Sequence, residues 1–296
     1  MSGKSKIEWT DDTWNPLAGC KAVSPGCDNC YAAREASGRL SGLPLCSGIA
    51  SGGVFTGEVR LVRERLSQPL RWQRPRRVFV NSMSDLFHAS VPDSFIREVF
   101  AVMAEADRHV FQVLTKRPQR MKTWCEANYP EVLANVWLGT SIESDRYAFR
   151  ADHLRAMPGA VRFLSCEPLL GQLPSLDLAG IDWVIAGGES GPNARPMHPD
   201  WVRDLRDRCL ANGVAFLFKQ WGEWAPGKSS TSGSALQGNL RSATSSVFLD
   251  RDGIPQSTNE LSNLSIPEDW AEMACAGKKF AGRELDGMVW DQYPPC

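Results

Sequence analysis

Three cysteines stand close together near the start of the chain, in GCKAVSPGCDNCYAARE, as Cys20, Cys27 and Cys30. Their spacing is C-x6-C-x2-C. Two cysteines three positions apart converge on one centre from a single turn, and Pro25 and Gly26 let the loop bend so that Cys20 reaches the same centre. The other six cysteines, Cys46, Cys125, Cys166, Cys209, Cys275 and Cys296, stand alone and read as small buried apolar residues. An odd total of nine argues against a fully paired disulfide framework, so the close group reads as a metal site. A structural zinc site wants four protein ligands, which here requires a remote partner such as His88 or Cys46. A cubane iron–sulfur cluster held by three thiolates leaves one iron open to an outside ligand. The run YAAREASGRL that follows Cys30 has helical character and sets the cluster at a helix start.

A second set of chemically able residues recurs behind short apolar runs. RVFVNS (77–82), HVFQVLTK (109–116), NVWLGTS (135–141), VRFLSCE (161–167), DWVIAGGES (182–190) and VAFLFKQ (214–220) each have strand length and are apolar on both faces, as in a covered parallel sheet. Each ends in polar groups: Asn81-Ser82-Met83-Ser84-Asp85, Thr115-Lys116-Arg117, Thr140-Ser141-Ile142-Glu143, Cys166-Glu167, Gly187-Gly188-Glu189-Ser190 and Lys219-Gln220. One such end is explained by a turn or helix cap. Six at the same end point to a site at the C-terminal edge of a sheet. Cys166 beside Glu167 reads either as a buried core thiol or as a donor of a hydrogen atom. Lys116 and Lys219 are candidate partners for a carboxylate or phosphate. Asp85, Glu143, Glu167 and Glu189 also allow a magnesium-dependent hydrolase or nuclease.

The elements that must position these residues alternate. Between the apolar runs lie stretches with apolar residues at helical spacing, as in 92–106 and 198–213, the second stopped by Asn212-Gly213. A further strand is expected near 6–10, just before the cysteine loop. Six or seven such units predict an α/β fold, a partial or full parallel (β/α) barrel over residues 1–224. Residues 225–265, rich in Ser, Thr and Gly over 226–246, read as a flexible insertion, and 266–296 as a tail that packs back on the barrel. The charged fraction of 23% and a net charge of -1 suit a globular protein and exclude a global basic field. RWQRPRR (71–77) and TKRPQR (115–120) are local exceptions, read either as a solvated edge or as phosphate contacts with Trp72 stacking a base. No apolar run is long enough to span a bilayer and no secretory leader is present, which predicts no membrane partner and a cytoplasmic location.

With these residues in view, a three-cysteine loop after a first strand and ending CxxCYA resembles the radical-SAM superfamily. The first gap of six residues and Asn29 before the third cysteine depart from its usual pattern. The closer similarity is to the phage-associated three-cysteine-motif family, carried by IEWTDDTWNP, SPGCDNCYA, RRVFVNSMSDLFH, LTKRPQRM, WLGTSIES, FLSCEPLLG, AGGESG, FKQWGEW and AGRELDG. More distantly the order of elements resembles the spore photoproduct lyase family, radical-SAM enzymes of DNA repair. The resemblance implies a radical-SAM-type barrel, a 4Fe-4S cluster on Cys20, Cys27 and Cys30, and S-adenosylmethionine on its open iron. By position it assigns Ser82, Ser84 and Asp85 to the amino group of the cofactor, Ser141 and Glu143 to its ribose, Glu167 to adenosine contacts, and Gly187 and Gly188 to close backbone approach. A nucleic acid or nucleotide is the substrate class it suggests. The rival from another class is a zinc-binding interaction module serving a protein partner encoded nearby.

Overall fold

The computed structural model describes residues 5, 7–129, 132–227, 245–257 and 266–295. Seven strands form one sheet in chain order: β1 (Asp12–Trp14), β2 (Arg77–Val80), β3 (Val110–Thr115), β4 (Val136–Ser141), β5 (Val161–Cys166), β6 (Trp183–Gly187) and β7 (Ala215–Gln220). Pairings β1 to β2, β2 to β3, β3 to β4, β4 to β5 and β6 to β7 are all parallel. Chain-order parallel strands joined largely through helices are the α/β arrangement of a partial (β/α) barrel, as the alternation predicts. The strands are apolar on both faces because both are covered. All six residues of β4 and all five of β6 are buried.

The first strand lies at Asp12–Trp14, not at 6–10. Residue 6 is outside the described residues, and Ile7–Thr10 form a turn closed by the Thr10 amide on the Ile7 carbonyl at 3.3 Å. The apolar residues that suggested a strand serve another purpose. Trp9 is buried against Phe79 and Phe163, with centroids 4.7 and 6.4 Å away, and its carbonyl accepts from Gln112 Nε2 at 3.2 Å.

The longer helices among the described residues are α1 (Tyr31–Ser37), α2 (Asp93–Glu105), α3 (Pro118–Asn128), α4 (Arg150–Arg155) and α5 (Pro199–Ala211). On α2 the buried side is Phe95, Ile96, Val99, Phe100 and Met103, an apolar stripe at helical spacing. On α5 it is Trp201, Val202, Leu205 and Cys209, with His198 Nδ1 accepting the Asp200 amide at 3.1 Å as its cap. Asn212 ends that helix and Gly213 follows at φ 67, as expected.

The chain divides into two compact units. The first comprises 1–141, 149–165 and 180–182; the second comprises 142–148, 166–179 and 183–296. Within the second, β8 (Trp224–Pro226), β9 (Ser246–Leu249), β10 (Pro255–Ser257) and β11 (Ala271–Cys275) form an antiparallel sheet in the order β8-β11-β9-β10. The ends of the Ser/Thr/Gly-rich stretch are therefore ordered strands, although most of it, 228–244, and residues 258–265 lie outside the described residues. Among the described residues no helix is long and apolar enough to cross a membrane.

Candidate functional site

In the first unit the C-terminal ends of β1, β2 and β3 meet one loop, the segment that carries the cysteines. Parallel strands bring these ends to the same edge. Asp85 follows β2 and is buried, with both carboxylate oxygens engaged. Oδ1 accepts from the Phe87 amide at 2.9 Å and Thr115 Oγ1 at 2.7 Å. Oδ2 accepts from the Lys116 amide at 3.2 Å and Arg117 Nη1 at 2.7 Å. The carboxylate therefore joins the end of β2 to the end of β3.

Arg117 extends that junction to the cysteine loop. Its Nη2 donates to the Lys21 carbonyl at 2.8 Å, and its Nη1 lies 3.7 Å from Cys20 Sγ. Burial pushes the Cys20 thiol up to about 11; Asp85 adds to the shift and Arg117 opposes it. The second arm of the loop is fixed separately: Tyr31 Oη donates to the Ser82 carbonyl at 2.6 Å, at the start of α1 and just after Cys30. Ser82 Oγ exchanges hydrogen bonds with the Asn15 amide at 3.1 and 3.2 Å, and Ser84 Oγ donates to the Leu17 carbonyl at 3.0 Å. Ser82, Ser84 and Asp85 thus tie the loop to the strand ends.

Cys20, Cys27 and Cys30 are all free thiols and all half-buried, on one continuous loop. Among the described residues no three His, Cys, Asp or Glu groups converge as a ready-made metal cage. Cys46 is buried in an apolar cluster with Ala18, Ala36 and Ile49, and His88 Nδ1 accepts from the Ser90 amide at 3.2 Å. Neither is gathered with the three cysteines into a four-ligand set. By residue type the three thiols suit a soft metal group, but they are not gathered around one point as they stand. Two open polar groups adjoin Ser82 and Arg117 in sequence. Asn81 closes β2 at φ 64, 3% exposed, and neither atom of its side-chain amide has a hydrogen-bond partner among the described residues. An unpaired buried amide is costly and marks a place where a ligand or water completes the bonding. Lys116, half-buried at the end of β3, offers an ammonium that forms no ion pair among the described residues.

Ser141 ends β4, buried, its carbonyl accepting Arg150 Nη1 at 2.8 Å. In the second unit Glu167 and Lys219 form a largely buried ion pair at 3.0 Å. Gly187 lies against it: a Cβ there would stand 3.2 Å from Glu167 Oε1 and 3.4 Å from Lys219 Cβ. At Gly188 a Cβ would stand 1.9 Å from the Trp221 carbonyl oxygen, so the close backbone approach this glycine permits is made by the chain itself. Glu143 is 1% exposed, and its carbonyl accepts the Leu170 amide at 2.7 Å. Cys166 is fully buried; burial first, then Cys209 and Glu167, push its thiol well above the ordinary value, so it stays protonated. Glu189 is held by Arg195, through Nε at 2.8 Å and Nη2 at 2.5 Å. Three of the four acids that suggested a magnesium site, Asp85, Glu167 and Glu189, are therefore each paired with a cation of the protein itself.

The basic residues of the two stretches are exposed or half-buried, and several of them are engaged by the chain itself. Trp72 is buried under Arg76, whose guanidinium carbon lies 5.0 Å from the ring centroid, and is not available to stack a base. Arg76 pairs with Asp12 at 2.5 Å and Arg77 with Asp11 at 3.1 Å. Arg120 donates to the Val91 carbonyl at 2.6 Å. Sequence reasoning passed over Arg117 and Asn81 as individual residues. The available signal was position: Arg117 stands between a strand end and Pro118, which opens α3, and Asn81 directly ends an apolar strand.

Fold and site together define an α/β protein with its polar groups gathered at strand ends. The chain belongs to the family described as "protein of unknown function (DUF5131)", which it matches over residues 4–294. No curated protein matches it. Two solved structures of spore photoproduct lyase point mutants are each similar at 14% identity and a TM-score of 0.40, covering 63% of this chain and 58% of the lyase. The chain therefore spans little over half the length of that protein.

Proposed function

We propose that this protein is an iron–sulfur enzyme of the radical-SAM kind in which Cys20, Cys27 and Cys30 hold a 4Fe-4S cluster. The observation that supports this most is the loop of three free thiols fastened across the ends of β1, β2 and β3 by Asp85, Arg117, Ser82 and Ser84. Such a cluster, when bound, supplies one-electron reduction of S-adenosylmethionine. The chain's own residues would bind and orient. The open amide of Asn81 offers an NH2 donor and a carbonyl acceptor, and the ammonium of Lys116 offers a counter-charge to a carboxylate or phosphate. In the second unit, Glu167, Lys219, Glu143, Gly187 and Gly188 are assigned to cofactor and substrate contacts, and in the first unit Ser141 is assigned to the ribose. Cys166, kept protonated by burial, is assigned as donor of a hydrogen atom, its S–H bond exchanged for a C–H bond.

The substrate class is assigned as a nucleic acid or nucleotide, by the element order shared with a DNA-repair lyase and by the unpaired Lys116. The quoted motifs support a place in the three-cysteine-motif group of phages and mobile elements, and a cytoplasmic location and a protein partner encoded nearby belong to the same proposal. The chemistry is assigned to residues 1–224, with 225–265 as an insertion and 266–296 as the tail packed on the barrel.

The test is anaerobic reconstitution with iron and sulfide, followed by iron counting and electron paramagnetic resonance with and without S-adenosylmethionine. A reduced-cluster signal that changes on adding the cofactor, and that is lost in Cys27→Ala, is the expected result. A colourless protein holding stoichiometric zinc overturns the reading and favours a binding module.

A further inference from the structure

The cysteine loop is fastened in two places of different strength. The Cys27 and Cys30 arm runs through a turn, with the Cys27 amide on the Ser24 carbonyl at 2.8 Å and the Cys30 amide on the Cys27 carbonyl at 3.3 Å, into α1. The hydroxyl of Tyr31 then ties it to Ser82. The Cys20 arm has no such turn. Its backbone is met by the Gly57 amide, donating to the Cys20 carbonyl at 3.1 Å, and by Gly19, packed so closely that a Cβ there would stand 2.1 Å from the Glu58 carbonyl oxygen. Neither contact directs the side chain.

One group does. The Arg117 guanidinium spans Asp85 Oδ2, the Lys21 carbonyl and the Cys20 sulfur, and the Arg117 side chain is only 15% exposed. Its anchor cannot swing, because Asp85 is also held by the Phe87 amide, the Thr115 hydroxyl and the Lys116 amide. A planar fork with donors on two nitrogens is what satisfies partners in three directions at once; the single ammonium of a lysine does not. We propose that Arg117 is a positioning residue that seats the Cys20 arm of the loop against the end of β3 before any metal group is bound. The part of this that concerns metal loading rests on the assignment of Cys20 as a ligand. The part that concerns the loop stands on the metal-free protein alone.

Two consequences follow from the geometry. Without the guanidinium, residues 20–24 lose their only side-chain link to the strand ends among the described residues, and local opening becomes easier. A thiol set in advance also spares the ordering of that arm when the metal group arrives, so loading should become slower or incomplete when the fork is removed. The positive charge beside the Cys20 sulfur adds a third effect, because it stabilises the more negative, reduced state of a group held there.

The experiment compares full-length wild type, Arg117→Gln, Arg117→Lys and, as a surface control, Arg74→Ala, an exposed residue away from this network. In the metal-free proteins, amide hydrogen exchange over residues 19–24 and the rate of maleimide labelling at Cys20 are measured. Arg117→Gln should accelerate both by about tenfold or more while far-ultraviolet circular dichroism stays unchanged. Arg117→Lys should fall between it and wild type, and Arg74→Ala should match wild type. Exchange and labelling within twofold of wild type in Arg117→Lys and Arg117→Gln overturn the inference. Should Arg117→Gln not fold, Arg117→Lys, which keeps the charge beside Asp85, decides alone. After reconstitution, Arg117→Gln should bind less iron and reduce at a more negative potential than wild type. A wild-type protein that takes up no iron defeats the cluster assignment but leaves the exchange result standing. Normal iron uptake with an unaltered potential in Arg117→Gln defeats the positioning role in loading.

Discussion

Asp85→Asn is the sharpest probe of how the strand ends and the cysteine loop are held together. The wild-type carboxylate receives four hydrogen bonds, two on each oxygen, and its side chain is 7% exposed beside an Arg117 that is 15% exposed. An asparagine that keeps its oxygen toward Phe87 and Thr115 turns its NH2 toward the Lys116 amide and Arg117, so two acceptor contacts become donor against donor. Hydrogen bonds to a charged group contribute about 1.5–3 kcal/mol each, and leaving a buried partner charge uncompensated costs about 3–5 kcal/mol. These overlap, because the Arg117 contact is counted in both, so the expected loss is about 3–5 kcal/mol in all. Against a total stability of roughly 5–15 kcal/mol this is a large shift. Urea unfolding of the metal-free protein at constant pH should show it as a lower midpoint with an unchanged slope. The double variant with Arg117→Gln should lose less than the sum of the two single variants, with about 2–3 kcal/mol of coupling. A loss below 1 kcal/mol for Asp85→Asn, or strict additivity with Arg117→Gln, would refute the view that this ion pair is the junction.

Other substitutions test other parts of the structure. Gly188→Ala drives a methyl into the Trp221 carbonyl, a backbone atom that cannot yield, and should cost about 4 kcal/mol or abolish soluble expression; Gly42→Ala, with open space around it, should stay within about 0.5 kcal/mol by the same unfolding assay. Lys219→Met leaves the largely buried Glu167 without this cation and should cost about 3 kcal/mol, while Lys219→Met with Glu167→Gln should regain most of it; equal losses in single and double variants would deny the pairing. Burial holds the fully buried His109 below its ordinary value of 6.5, and His198 is lowered for the same first cause. The unfolded chain then takes up protons more readily than the folded one, so stability is complete above about pH 6.5 and declines as the pH falls below it. Urea midpoints at pH 7.5, 6.5 and 5.5 should show that decline, and His109→Gln should flatten it; an unchanged slope would remove His109 as a contributor.

Much of the architecture was written in local pattern. The apolar runs at 77–82, 109–116, 135–141, 161–167, 182–190 and 214–220 are β2 to β7, because a strand covered on both faces must be apolar on both faces, and that constraint is local. The stop of α5 at Asn212-Gly213 was equally legible, since φ 67 at Gly213 is a property of that residue. The polar strand ends and the three cysteines were visible too, as residue types at a fixed spacing. What needed the tertiary structure was the partnership among them. Nothing in sequence tells that Asp85 is filled by Phe87, Thr115, Lys116 and Arg117, that Trp72 lies buried under Arg76, or that Trp9 plugs the sheet while the first strand forms at Asp12–Trp14. The same limit hid the pairing of β8 with β11, whose strands of three and five residues are separated by more than forty positions. Side-chain hydrogen bonds and short-strand pairings depend on which distant segments the fold brings within about 3 Å, and that is decided by packing and not by periodicity.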